Sequence, residues 1–379
     1  MFIKSTTIAR AFAIASLCFA ASTVYADHWP EKRVIATQKV YANLPTKNTF
    51  QKAGTVNFEE YGVRPAELPT KVDNPVLEKM LGKASNIAAL VQKNGNLIFE
   101  RYHPYINSNQ PIWATSMAKT ATATAVGKLL CTGKIQSIDD ELGKYSSLLA
   151  DTVYANVTIR NALQMRSGVS ENRDDENTIA NKAKGILDQQ DFGTAKQALA
   201  TYKKPYAEQG KRFSYHVSDT LALSLLVEEV AGESLGSFFY NNIMKIASEK
   251  PYMIWVTDRN GTTVGFGDLV MPARDWLKLG SYVMQEMIAE TCLGKFFDEG
   301  MKTAVTTESD YKKYGYQSWV YTSSIGPMLA FHGHFGNIMV LDKERNTVML
   351  LLSLNGNYGN YQILGDAGKI MDRLATLTE

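Results

Sequence analysis

Ser116 and Lys119 stand three residues apart, at the start of a long run of small and apolar residues. Residues three apart share one face of a helix, so this spacing places a hydroxyl beside an amine. A serine hydroxyl is a weak nucleophile until a base takes its proton, and a buried, neutral lysine can be that base. The pair therefore predicts covalent catalysis through a serine.

The same spacing occurs again at Ser309 and Lys312, where residues 306–313 are mostly polar or charged. We interpret this second copy as a solvated loop or helix end, because a bare Ser-x-x-Lys match is a weak signal. Residues 120–130, which follow Lys119, are poor in charge and rich in Ala and other short side chains. They predict a helix packed on most sides, where burial disfavours the charged form of an amine. This context favours Ser116 as the nucleophile.

Strand patterns flank the segment that carries this pair. Residues 87–93 and 97–102 are apolar runs on either side of Asn94-Gly95-Asn96, which is a strong hairpin signal. From about 115 to 280 the chain reads as mostly helical, with amphipathic helices over 218–230 and 273–287. Strands are predicted over 316–322, 328–332, 338–342 and 347–353, and a terminal helix over 364–377.

This order of elements predicts an α+β fold, in which an antiparallel sheet flanked by helices carries an inserted all-helical lobe. The α/β part is expected at about 80–115 and 310–379, and the mainly helical lobe at about 120–300. The cleft between two such parts is the usual place for a site.

The first 26 residues have the pattern of a signal peptide. Lys4 and Arg10 are followed by an apolar core over 11–21 and by Val24-Tyr25-Ala26, which predicts cleavage after residue 26. The core is too short for a membrane anchor. We therefore expect a periplasmic or secreted protein with no membrane anchor, whose residues 27–379 form one domain. Five prolines up to residue 75 indicate that 27–75 is an irregular surface arm.

Charge and cysteine content narrow the possible partners. Without residues 1–26 the chain has 38 basic and 38 acidic residues, so it has no electrostatic footprint for nucleic acid or for an anionic membrane. Cys131 and Cys292 remain, and they could pair in an oxidising compartment. Cys131 ends the predicted buried helix, which favours its packing as a small apolar residue. The pairing and the oligomeric state both stay open.

These motifs, in this order, resemble those of the superfamily of serine β-lactamases and penicillin-binding proteins. The most similar branch contains the class C β-lactamases, the family VIII-type esterases and the 6-aminohexanoate-oligomer hydrolases. The resemblance runs from about residue 87 to 377. Its segments are Ser116-Met117-Ala118-Lys119, residues 133–140, residues 163–169, residues 210–215, and residues 265–267 with 273–276.

The resemblance implies a second proton-transfer residue, Tyr215, whose phenol would pass the proton between the serine and the leaving group. The family often has Asn or Ser two residues after this tyrosine, where it contacts the substrate. Val217 occupies that position here and follows His216.

The third family motif, usually Lys-Thr-Gly on a strand, matches Phe331-His332-Gly333, or His332-Gly333-His334 in a register shifted by one. Both registers lack the lysine, so a histidine would be the donor. The glycine would let a substrate lie against the strand. The resemblance implies an oxyanion hole formed by the backbone N–H groups of Ser116 and His334. His332 and His334 could share a strand face, but no spacing supplies the third ligand of a catalytic zinc, so we expect no metal and no cofactor.

The resulting prediction is a secreted serine hydrolase that cleaves an ester or amide through an acyl-enzyme on Ser116, with Lys119 and Tyr215 as proton-transfer residues and His332, Gly333 and His334 at the substrate and oxyanion side. A small linear ester or amide is favoured over a β-lactam, because the third-motif lysine is missing. The alternative is a catalytically weak penicillin-binding or ligand-sensing relative that is acylated without efficient turnover. No repeat or adhesive composition supports a structural surface protein.

Overall fold

The computed structural model describes residues 57–67, 74–81, 86–104, 106–170, 194–307, 312–353 and 360–376. The predicted signal peptide and most of the predicted arm lie outside these residues. Among the helices of the described ranges, none combines the length and the apolar character that crossing a membrane requires.

The described residues form two antiparallel sheets and helices that pack around them. The strands are β1 (Asn57–Tyr61), β2 (Asn86–Lys93), β3 (Asn96–Tyr102), β4 (Pro111–Trp113), β5 (Met253–Thr257), β6 (Leu269–Pro272), β7 (Val305–Thr306), β8 (Lys312–Tyr314), β9 (Trp319–Ser323), β10 (Gly326–His332), β11 (Ile338–Asp342) and β12 (Thr347–Ser353). The α-helices are α1 (Pro75–Leu81), α2 (Ala118–Cys131), α3 (Ser147–Ala150), α4 (Ile159–Leu163), α5 (Ala195–Leu199), α6 (Ser218–Ala231), α7 (Leu235–Phe239), α8 (Lys245–Ala247), α9 (Ala273–Ile288), α10 (Cys292–Lys302) and α11 (Asn360–Thr376).

The larger sheet has the order β3-β2-β12-β11-β10-β9-β8-β7 in the part of the chain that the structure describes. The hairpin predicted at Asn94-Gly95 is confirmed, and both residues have positive φ angles of 50° and 81°. The late strand β12 pairs with the early strand β2, with Leu350 opposite Leu90. Early and late strands thus share one antiparallel sheet, as the order of elements predicted.

Helices cover both faces of this sheet, and each face has its own apolar core. Helix α9 packs against β2, β11 and β12 on one face. On the other face, side chains of α1 and α11, including Leu77 and Met371, pack against β-strand residues such as Val91 and Val340. Strands β11 and β12 are buried along their whole length because both faces are covered.

The smaller sheet, with the order β1-β5-β6-β4, was not predicted. The irregular arm expected over 27–75 includes strand β1, and the segment expected to be mostly helical includes β5 and β6. Strand β1 pairs with β5 in a register that places Asn57 opposite Thr257. Because the two strands are so far apart in sequence, no local sequence pattern indicates that they pair. This sheet bears on the site because β4, its last strand, leads directly into Ser116.

The interpretation of the residues around Lys312 as a solvated loop or helix end was also wrong. Lys312 begins strand β8 and is only 7% exposed, whereas the sequence indicated a solvated loop. Its ammonium lies 4.1 Å from the centre of the Trp319 ring. A lysine can be buried in this way because its hydrocarbon stem packs on apolar surface and its charge is attracted to an aromatic face.

Cys131 and Cys292 form a disulfide, with their Cα atoms 5.6 Å apart. The interpretation of Cys131 as a packing residue was therefore wrong. The bond joins the end of α2, the helix that follows the serine, to the first residue of α10.

Candidate active site

The serine lies in a tight turn between β4 and α2. Residues Thr115–Met117 form a 3₁₀ turn in which Ser116 is half-buried and its neighbours are buried. Thr115 has a φ angle of 51°, a left-handed conformation that is unfavourable for a β-branched residue. Strain of this kind often occurs at functional sites, where the surroundings hold a side chain in a fixed position.

The end of β10 approaches this turn very closely. A Cβ atom on Gly333 would lie 2.2 Å from the carbonyl oxygen of Ala114 and 2.2 Å from Oγ1 of Thr115. Glycine is therefore required at position 333. The hydroxyl of Thr115 also donates to the carbonyl oxygen of His334, at 3.4 Å. Gly333 and His334, which belong to the predicted third motif, thus lie beside the serine turn.

Lys119 points its amine at the serine. Its Nζ atom lies 3.1 Å from Oγ of Ser116 and donates to the carbonyl oxygen of Phe266 at 2.8 Å. The ring centre of Tyr215 is 5.1 Å from the same Nζ. Lys119 is 2% exposed, so water has little access to this group. The arrangement places a shielded amine within proton-transfer distance of a hydroxyl.

The loop around Phe266 holds the lysine because it is fixed between two helices. Thr122 of α2 donates to the carbonyl oxygen of Gly265 at 2.9 Å, and the N–H of Gly265 donates to Oγ of Ser224 in α6 at 3.1 Å. A Cβ atom on Gly265 would lie 2.3 Å from that Oγ. The Gly265-Phe266-Gly267 segment noted in the sequence therefore positions Lys119.

Tyr215 reaches Lys119 from a loop that is attached to residues 163–168. The N–H of Ser214 donates to the carbonyl oxygen of Met165 at 2.9 Å, and the N–H of Gly210 donates to that of Arg166 at 2.8 Å. The Tyr215 ring packs against Trp319, with ring centres 5.5 Å apart. Two sequence motifs, 163–169 and 210–215, thus act together to place one side chain.

The residues that follow Tyr215 pack into the protein. His216 is buried, and its Nε2 atom lies 3.4 Å from Oδ2 of Asp219. Asp219 also accepts a hydrogen bond from the hydroxyl of Tyr154 at 2.9 Å. Val217 is half-buried and directly precedes α6.

His332 and His334 have different surroundings. His334 is exposed, while His332 is buried with its ring centre 5.9 Å from that of Trp319. Burial, followed by the nearby charges of Lys312 and His334, lowers the pKa of His332 to about 3. Burial therefore favours the neutral form of His332, which lacks the positive charge of the missing third-motif lysine.

Sequence reasoning missed several residues that shape the site. Gln317 is buried with a φ angle of 50°; its side chain donates to the carbonyl oxygen of Ala162 and accepts from the hydroxyl of Thr220. It thereby ties the start of β9 to α4 and α6. The Phe266 carbonyl and Trp319 were missed too. A backbone oxygen leaves no trace in sequence, and the sequence pattern around Trp319 indicates only that this residue belongs to a strand.

Comparisons with known proteins agree with this architecture. The family model described as Beta-lactamase matches residues 76–367. A putative 6-aminohexanoate-dimer hydrolase from Bacillus anthracis is similar in structure, with a TM-score of 0.71 at 18% identity over 94% of this chain and 98% of that one. A D-stereospecific amidohydrolase from a Streptomyces species has a TM-score of 0.58 at 18% identity, over 78% of this chain and 98% of that one.

An octameric penicillin-binding protein homologue from Pyrococcus abyssi is also similar, with a TM-score of 0.57 at 18% identity over 79% of this chain and 76% of that one. No curated protein matches the sequence. At these identities the structural likenesses establish the fold alone, and the fold is the one the sequence predicted.

Proposed function

Because the chain belongs to the β-lactamase family, we propose that it is a serine hydrolase that cleaves an ester or amide bond through an acyl-enzyme on Ser116. The observation that carries this proposal is the 3.1 Å separation between the buried amine of Lys119 and the hydroxyl of Ser116. Membership of the family and the hydrolase titles of two similar structures support the broader assignment as a hydrolase.

The proposed reaction has two steps. Lys119 takes the proton of Ser116 while Oγ attacks the substrate carbonyl, and the backbone N–H groups of Ser116 and His334 stabilise the negative charge on the carbonyl oxygen. The proton passes through Lys119 and Tyr215 to the leaving alcohol or amine, which departs as the carbonyl re-forms. Water then attacks the carbonyl of the acyl-enzyme. Lys119 and Tyr215 take the proton of the water and return it to Oγ of Ser116, which releases the acid and restores the serine.

The substrate class we favour is a small linear ester or amide. The Lys-Thr-Gly pattern is absent, His332 is neutral, and Val217 stands where the family often has a polar substrate contact. These differences weaken the case for a dedicated β-lactamase.

We also propose export to the periplasm or medium, which the signal-peptide pattern and the disulfide support, since disulfides persist in oxidising compartments.

The nucleophile can be tested by labelling. The folded protein treated with a fluorophosphonate should carry its adduct on Ser116, and Ser116→Ala should lose both the adduct and hydrolysis of p-nitrophenyl acetate. Ser309→Ala is the matched control, since Ser309 has the same Ser-x-x-Lys spacing, and it should keep both. Full hydrolysis by Ser116→Ala would reject the proposal, and a stable acyl-enzyme without turnover would favour the weak, ligand-sensing alternative.

A further inference from the structure

Trp319 connects the proposed proton-transfer residues to the third-motif strand. Its ring centre lies 5.5 Å from that of Tyr215 and 5.9 Å from that of His332. Tyr215 in turn lies 5.1 Å from the amine of Lys119. A group that contacts Trp319 is therefore one ring away from both sides of the candidate site.

Lys312 is such a group, and it approaches from the second strand beyond β10. The order β10-β9-β8 places Trp319 on the strand between His332 and Lys312. Lys312 is 7% exposed, and its Nζ atom lies 4.1 Å from the Trp319 ring centre. The neighbouring Lys313 is exposed, because alternate residues of a strand point to opposite faces. Lys312 and Lys313 therefore differ in burial only because they point to opposite faces of β8.

Through Trp319, the ammonium of Lys312 lies close to the third motif, and its charge acts after burial in lowering the pKa of His332. A charge held away from water acts over several ångströms, because the protein around it screens far less than bulk solvent. The motif itself has no lysine, and its buried histidine is neutral. Lys312 therefore supplies positive potential to this side of the cleft from a different strand.

We propose that Lys312 is a specificity-determining residue, whose ammonium favours substrates that carry a carboxylate on the acyl part, close to the carbonyl under attack. This inference deepens the proposed function and rests on it. The contacts with Trp319 and the position of Trp319 beside Tyr215 and His332 carry it. A neutral acyl chain would gain nothing from this charge.

A pair of esters that differ only in charge tests the inference. The substrates are the mono-p-nitrophenyl ester of glutarate and its methyl-capped, neutral counterpart, and the readout is the ratio of their kcat/KM values. Lys312→Met keeps the unbranched stem and its packing on Trp319 but removes the charge. We expect the ratio to fall about tenfold, mainly through KM of the anionic ester. Lys312→Arg should keep most of the preference.

Lys313→Met is the matched control, because it removes the same charge one residue away on the exposed face, and it should leave the ratio unchanged. An equal loss for both esters in Lys312→Met would assign a structural role and overturn the inference, as would the same fall in Lys313→Met.

Calorimetric titration of Ser116→Ala with glutarate separates this inference from the proposed function. Binding that weakens on adding Lys312→Met would support the inference even if Ser116 takes no fluorophosphonate. Labelling of Ser116 together with an unchanged ester ratio would overturn the inference and leave the hydrolase intact.

Discussion

At the scale of single residues, the hydrogen bonds of Lys119 to Ser116 and Phe266 are compatible with a changing protonation state. An ammonium can donate to both Oγ of Ser116 and the carbonyl oxygen of Phe266. After losing a proton the amine can still donate to Phe266 while its lone pair faces Ser116. The carbonyl therefore keeps the side chain in place while the proton moves, which is what a base on a flexible stem needs.

Tyr215 can be tested by removing only its hydroxyl. Tyr215→Phe keeps the ring contacts with Lys119 and Trp319 but leaves no phenol to relay the proton. We expect kcat for p-nitrophenyl acetate to fall by about 10²–10⁴-fold, the range typical of general acid–base groups, with little change in melting temperature. Steady-state kinetics and thermal melting check both parts.

Tyr314→Phe makes the same chemical change one ring away. Tyr314 is buried, its ring packs on that of Tyr215, and its hydroxyl has no hydrogen-bond partner among the described residues. Removing an unsatisfied buried hydroxyl is neutral or stabilising, so this variant should keep its activity. Equal losses in the two variants would indicate that ring packing, and not the phenol of Tyr215, is what matters.

At the scale of elements, an ion pair between a partly exposed arginine and a buried carboxylate fastens α9 to strand β3. Arg274 donates to both carboxylate oxygens of Glu100 at 2.7 Å, and the hydroxyl of Tyr102 donates to the same carboxylate at 2.9 Å. The carboxylate is 1% exposed. This bidentate pairing, in which two N–H groups of one guanidinium bind the two oxygens of one carboxylate, favours arginine over lysine. Since α9 covers the sheet that carries β10, the pair also helps to hold the frame of the site.

Arg274→Ala should lower the free energy of unfolding by about 3–5 kcal/mol, because it leaves the Glu100 carboxylate buried without its partner. Urea denaturation of the two proteins gives this difference directly. Arg101→Ala provides the comparison: Arg101 pairs with Glu78 at the surface, and losing that pair should cost about 1 kcal/mol or less. Similar losses in both variants would mean that the Glu100 pair is no stronger than a surface pair.

At the scale of the whole molecule, the disulfide links parts of the chain that are 161 residues apart in sequence. It reinforces a contact that also packs apolar groups, since Gly127 of α2 lies against Leu293 and Phe296 of α10. A cross-link over so long a loop removes much of the freedom of the unfolded chain. Its main effect should therefore be on stability.

The double variant Cys131→Ser, Cys292→Ser should be about 2–5 kcal/mol less stable than the oxidised protein and should melt at a lower temperature. A reducing agent should lower the melting temperature of the unaltered protein and leave that of the double variant unchanged. An unaltered protein whose melting temperature does not respond to reduction would contradict the stabilising role.

Features that depend on neighbours along the chain can be predicted from the sequence alone. It predicted the hairpin at Asn94-Gly95, the ranges of β11 and β12, and the placing of Ser116 and Lys119 at the start of a buried helix. Turn chemistry and hydrophobic periodicity act over a few residues, so these elements leave a readable pattern.

Features that depend on distant partners become visible only in the folded chain. The pairing of β1 with β5, the Cys131–Cys292 bond and the burial of Lys312 against Trp319 all join segments whose contact no local pattern records. The third motif shows the same limit, because a shift of one residue in a strand exchanges its two faces. Which side chains face the serine is therefore set by how the end of β10 packs against the turn that carries Ser116.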